Sequence, residues 1–163
     1  MGYEEFVGVE QLKKEQRDQL ALFQKWAEES SWSSFHQNHY DWWAFPIDRP
    51  SAKGFRYSIS DEVRLELLED PVFIDQLREC SRLLFLSWGW DIEAQKLVSK
   101  PSEDQTWAMW PVRLNKCNRS LKLFGQKDLV SSTQSYARHL IAEGISLFYS
   151  GDDLTDEILG DDL

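Results

Sequence analysis

Asp70-Pro71-Val72-Phe73-Ile74-Asp75-Gln76-Leu77-Arg78-Glu79-Cys80-Ser81-Arg82-Leu83-Leu84-Phe85-Leu86-Ser87-Trp88-Gly89 is a helix written with both of its ends. Asp70 is a capping side chain, and Pro71 suits the first helical position, where its missing N–H costs nothing. Phe73, Leu77, Cys80, Leu84 and Trp88 recur at three- and four-residue spacing, with Ile74, Ser81 and Phe85 widening the stripe. Gly89 supplies the left-handed residue that closes a helix. A stripe this wide must be buried against other elements, so the rest of the chain has to supply them.

Working outward, the same signals recur. Before Asp70, Ser60 is an N-cap for a helix over 61–69, with Asp61 and Glu62 placed against the macrodipole. Val9, Leu12, Gln16, Leu20, Phe23 and Ala27 give a first helix over 9–29, broken only by Gln16 and ended by the serines at 30, 31, 33 and 34. After Gly89 the chain is irregular to Trp107. Pro111 then opens a helix to Phe124 with Trp110, Leu114, Cys117, Leu121 and Phe124 as a narrow seam. Met109 and Leu114 are spaced for a hydrophobic staple. Asp128 caps a last long helix over 129–143, with Val130, Thr133, Ala137, Leu140 and Ile141 inward and Gly144 closing it. Ile145–Tyr149 alternates like a short strand that would pair with Phe55–Tyr57. Leu154, Ile158 and Leu159 make a marginal turn of helix or a docking segment. The expected fold is all-α: one orthogonal bundle of about five helices over residues 1–151, with a long aromatic loop, one short two-stranded ribbon and an acidic tail over 152–163.

The chain has 163 residues, and a domain of that size buries roughly 70% of its unfolded surface without disulfides or metals. Net charge is −10. Residues 31–151 are nearly neutral, whereas 152–163 hold six acids and no base. Such a surface repels phosphates and anionic membranes and suits a basic protein partner. Cys80 and Cys117 stand apart without a C-x-x-C, as buried thiols of a reducing compartment. Met1–Phe6 lacks the basic start and apolar run of a secretory leader, and Phe6 stands where myristoylation wants Ser or Thr. The longest strictly apolar run, Leu83–Leu86, is too short for a bilayer. A cytoplasmic protein is expected.

The chemistry-bearing residues crowd into the connection over 35–57. His36, His39 and Asp41 have the spacing for two imidazoles and a carboxylate on one metal, or for acid–base work. The competing reading has the histidines cap helix ends or hydrogen-bond backbone inside an aromatic cluster. Tyr40, Trp42, Trp43 and Phe45 are candidate partner-binding rings, or core packing under a loop. Arg113, Lys116, Arg119 and Lys122 form one basic face of the helix to Phe124, opposite its seam, with no acid from Gln105 to Lys127. That face would meet an acidic partner or a phosphate backbone, would be merely solvated, or would hold the chain's own acidic tail. No phosphate loop, Gly-x-Ser-x-Gly elbow or dinucleotide fingerprint occurs, and no cofactor is expected.

His39-Tyr40-Asp41-Trp42-Trp43-Ala44-Phe45-Pro46-Ile47-Asp48, Ser87-Trp88-Gly89-Trp90-Asp91 and Trp110-Pro111-Val112-Arg113-Leu114 through Arg119–Gly125 form a set of blocks. Together they resemble a family of small cyanobacterial proteins, over about Phe35 to Tyr149. The resemblance brings no catalytic residue. The aromatic-Phe-Pro turn and the glycine-ended helix are more faintly similar to the helical domain of the opioid growth factor receptor, which implies binding rather than catalysis. The expected function is therefore a non-catalytic interaction module, an adaptor or inhibitor that docks on a larger enzyme with a basic surface. One version regulates a nuclease, such as a ribonuclease, by occluding its basic channel. The alternatives are a small enzyme using His36, His39 and Asp41, and RNA or DNA binding through the basic helix face.

Overall fold

A computed structural model describes residues 2–161, without the side chains of Gly2 and Tyr3. Asp162 and Leu163 of the acidic tail, and Met1, lie outside the described residues. The five long helices are α1 (Val9–Glu28), α4 (Asp61–Leu68), α5 (Pro71–Ser87), α6 (Pro111–Leu123) and α7 (Lys127–Ala142). Three short ones, α2 (Trp32–Gln37), α3 (Asp41–Ala44) and α8 (Thr155–Leu159), join them. Two small antiparallel ribbons complete the fold: β1 (Trp90–Asp91) with β2 (Lys96–Leu97), and β3 (Phe148–Tyr149) with β4 (Asp152–Asp153). Among the described residues no helix is long and apolar enough to cross a membrane.

Helix α5 has the ends its sequence announces. Asp70 accepts from Val72 N at 3.0 Å and Phe73 N at 3.2 Å, and Gly89 takes φ +84°. Helix α1 lies along α5, α6 packs between α5 and α7, and α8 rests on both α6 and α7. Cys80 and Cys117 are free and fully buried, and burial pushes the Cys117 thiol up to about 12.

The central finding concerns α6. It is buried on nearly every side, although its sequence is polar. Most of its buried polar side chains have a partner: Asn118 donates to Thr133 Oγ1 at 2.8 Å, Cys117 to Ser81 Oγ at 3.4 Å and Asn115 to Glu157 Oε2 at 3.1 Å. Pairing of this kind offsets the cost of burying polar groups and admits only one register.

The structure differs from the sequence reading at four places. The connection over 35–57 is not structureless, because α3 folds back on α1 and α6. Phe55–Tyr57 is turn rather than strand, and Phe148 pairs with Asp153 instead. Helix α7 begins at Lys127, since Asp128 is drawn into an ion pair with Arg78 at 2.7 Å. Met109 is 80% exposed with φ +60°, so it staples nothing.

The acidic tail is part of the fold. Lys122 Nζ donates to Glu157 O at 2.8 Å, Gln134 Nε2 to Ile158 O at 3.1 Å and to Gly160 O at 3.0 Å. Ile158 is completely buried. Ile158→Ala should therefore lower stability by about 2–5 kcal/mol, read from the urea midpoint. A change within the noise would mean that α8 lies loosely on the bundle.

Candidate functional site

The residues expected to form a site are divided by the fold. Arg113, on α6, is 1% exposed. Its Nε donates to Asp41 Oδ1 at 2.7 Å, Nη1 to Phe35 O at 2.8 Å and Nη2 to Asn38 O at 2.8 Å. The guanidinium also lies 4.2 Å from the ring centre of Tyr40, whose hydroxyl donates to the same Phe35 carbonyl at 2.7 Å. Short helix α2 ends with carbonyls that lack intrahelical donors. One arginine fork satisfies two of these carbonyls and neutralises Asp41.

Arg119, further along the same helix, repeats the device. It binds Asp48 through Nε and Nη2 at 2.8 and 3.0 Å. Burial pushes the Asp48 carboxyl up, but the hydrogen bond and charge of Arg119 outweigh it and hold that carboxyl below its ordinary range. Of the basic face, Arg113 and Arg119 thus tie down the 35–57 connection, while Lys122, and Arg119 at 3.6 Å, reach Glu157 of the chain's own acidic tail. Arg113 and Arg119 reach inward because α3 and the chain after it cover that side of the helix. Tyr40 and Phe45 are likewise buried and present no ring to a partner. Trp42, Trp43, Lys116 and Lys122 remain partly open. The Trp42 ring lies between Lys53 Nζ at 4.7 Å and Lys116 Nζ at 5.2 Å, and Trp43 Nε1 donates to Gln19 at 3.0 Å.

The His36, His39 and Asp41 trio does not converge. Asp41 faces Arg113, and exposed His39 sets its ring edge against Trp110. Among the described residues no three His, Cys, Asp or Glu side chains gather where they could hold a metal. His36 ties α2 to the 98–107 segment, donating from Nε2 to Asp104 O at 2.9 Å, while the Asp104 carboxylate accepts from Ser33 N at 3.1 Å. Its Nδ1 is buried without a partner. Burial lowers the His36 pKa, and Arg113 adds to the effect against the Asp104 carbonyl.

The unfolded chain takes up the proton near pH 6.5 and the folded one only below that. The His36 contribution to stability is complete above about pH 6.5 and is lost as pH falls towards the lowered folded value. His36→Gln, which keeps a donor, should flatten the stability–pH curve in that window, measured by urea denaturation at stepped pH. An unchanged slope would contradict this role.

What the sequence reading missed is the tip of the β3–β4 hairpin. Ser150 and Gly151 take φ +51° and +87°, the signs of a two-residue I′ turn, which matches the twist of the strands it joins. Phe148 is 56% exposed and Tyr149 41%, opposite Asp153 and Asp152. Leu147, buried behind them, accepts from Leu154 N at 2.9 Å, and Asp153 accepts from Thr155 Oγ1 at 2.6 Å. Those Thr155 hydrogen bonds hold the Asp153 carboxyl below its ordinary value. The Ser150-Gly151 pair after a short alternating run is the turn signal that the sequence offers.

Compared with family models, with curated proteins and with solved structures, the chain matches none, so its functional reading rests on geometry and chemistry.

Proposed function

We propose that this chain is a non-catalytic interaction module that docks on a basic surface of a larger enzyme through the β3–β4 hairpin. The observation that carries the reading is the hairpin tip: two open aromatic rings and two exposed carboxylates on one anchored turn. Aromatic rings dominate the energy of protein interfaces. Carboxylates beside them select a basic partner and speed its encounter. Asp156 and Asp161, exposed just beyond, extend the same sign of charge, and the chain as a whole carries −10. Support also comes from the engaged state of His36 and Asp41, whose hydrogen bonds serve the fold. The partner class that fits is an enzyme with a basic channel, such as a ribonuclease, which the hairpin would occlude.

Capture from lysate on immobilised protein tests this. A partner should be retained at low salt, released as salt rises, and lost with the Phe148→Ala/Tyr149→Ala variant. Retention of the same partner by both proteins would reject the hairpin as the docking element.

A further inference from the structure

A second place on the molecule has the makings of a ligand site, independent of the hairpin. Between the end of α5, the 97–107 segment and the last turns of α7 lies a cleft of about 580 Å³. That is the size of a small-molecule site. Its floor is a packed set of rings. Trp88 lies parallel to Tyr136 at 5.8 Å and 11°, while Trp107 stands across both, at 4.9 Å and 57° from the first and 6.1 Å and 64° from the second. His139 continues the stack beyond Tyr136 at 6.2 Å and 20°.

The segment after Gly89 is pinned beside the end of α5. Gln105 donates from Nε2 to Leu86 O at 2.8 Å, and Val98 N to Gly89 O at 2.9 Å. A Cβ on Gly89 would stand 2.9 Å from the Gln105 carbonyl oxygen, so this approach needs glycine as well as its positive φ.

Two features describe what would enter. The walls are apolar, and Leu97 at the rim is 49% exposed, which leaves greasy surface facing the opening. Among the lining side chains no Lys or Arg appears, and Glu143, exposed one turn after His139, is the one carboxylate. Aromatic faces attract cations as well.

We propose that this cleft binds a small aromatic amine. Its ring lies against Trp107 and the aliphatic wall, and its protonated nitrogen lies near Glu143. An anion of the same shape is disfavoured by Glu143 and by the net charge of −10.

Tryptamine and indole-3-acetate, which share one ring and differ in charge, make the test with ¹⁵N-labelled full-length protein. Tryptamine should shift amide resonances of the 97–107 segment and of α7 saturably, and indole-3-acetate should bind about tenfold more weakly. Glu143→Gln, at an exposed position, should weaken tryptamine by about two- to fivefold and leave the rest of the spectrum in place. Trp107→Ala should abolish the shifts. Equal binding of amine and acid, insensitivity to both substitutions, or no saturable shift with tryptamine at millimolar concentration would each overturn the proposal. Since the hairpin plays no part here, failure of this test would leave the docking reading standing, and the reverse holds too.

Discussion

Arg113→Met should destabilise the fold by about 3–5 kcal/mol, the cost of leaving one member of a buried ion pair alone. The methionine fills much of the same space, so the loss is not one of volume. What remains is Asp41 buried without its counter-charge, together with the Asn38 carbonyl without its donor and the Phe35 carbonyl left with the Tyr40 hydroxyl alone. Arg113→Lys should recover little, because an ammonium on a flexible stem cannot span three acceptors held in a fork. Arg113→Met/Asp41→Leu should recover part of the loss, since removing both charges is far cheaper than removing one. Urea denaturation of the three variants measures this. A cost below about 1 kcal/mol, the level of an exposed pair, would mean that the arginine is solvated after all.

The five long helices were legible because apolar residues at period 3.6, with caps such as Asp70 and Ser60, state where a helix lies and which side it buries. Helix α6 was the exception. A wheel places Arg113 and Arg119 opposite the apolar seam, which for an isolated helix means solvent. The wheel cannot see that α3 and the chain following it cover that side with Asp41 and Asp48. A hint was present, since no acid occurs between Gln105 and Lys127. Helix α6 carries four cations and no acid, and Asp41 and Asp48 of the ring-rich connection complement two of them, Arg113 and Arg119.

The candidate site was less legible than the fold. Rings in the connection drew attention because they were many, yet number signals burial as readily as recognition. Tyr40 and Phe45 lie in the core, and the open rings lie on a turn, Phe148-Tyr149-Ser150-Gly151-Asp152-Asp153, whose first two residues read only as the end of a short strand. Exposure is a property of the whole fold, and pattern alone does not report it.

Truncating that tip should give the largest effect on binding. Phe148→Ala and Tyr149→Ala should each weaken partner binding by about thirtyfold, as interface rings worth about 2 kcal/mol do. Stability should move by no more than about 0.5 kcal/mol, because the rings are exposed. Asp152→Asn/Asp153→Asn should instead slow association and reduce its salt dependence, leaving dissociation nearly unchanged. Surface resonance kinetics with the captured partner separates these effects. Loss of binding in Lys116→Glu with none in the ring variants would move the interface to the Trp42 side of α6.

Hydrogen–deuterium exchange on the full chain, with and without the captured partner, decides most directly between those two faces. Protection on binding should concentrate at residues 148–153, with the 41–48 segment and α6 exchanging as they do in the free protein. Protection confined to 41–48 and α6, with the hairpin unchanged, would contradict the assignment of the buried arginines to architecture and of the open rings to recognition.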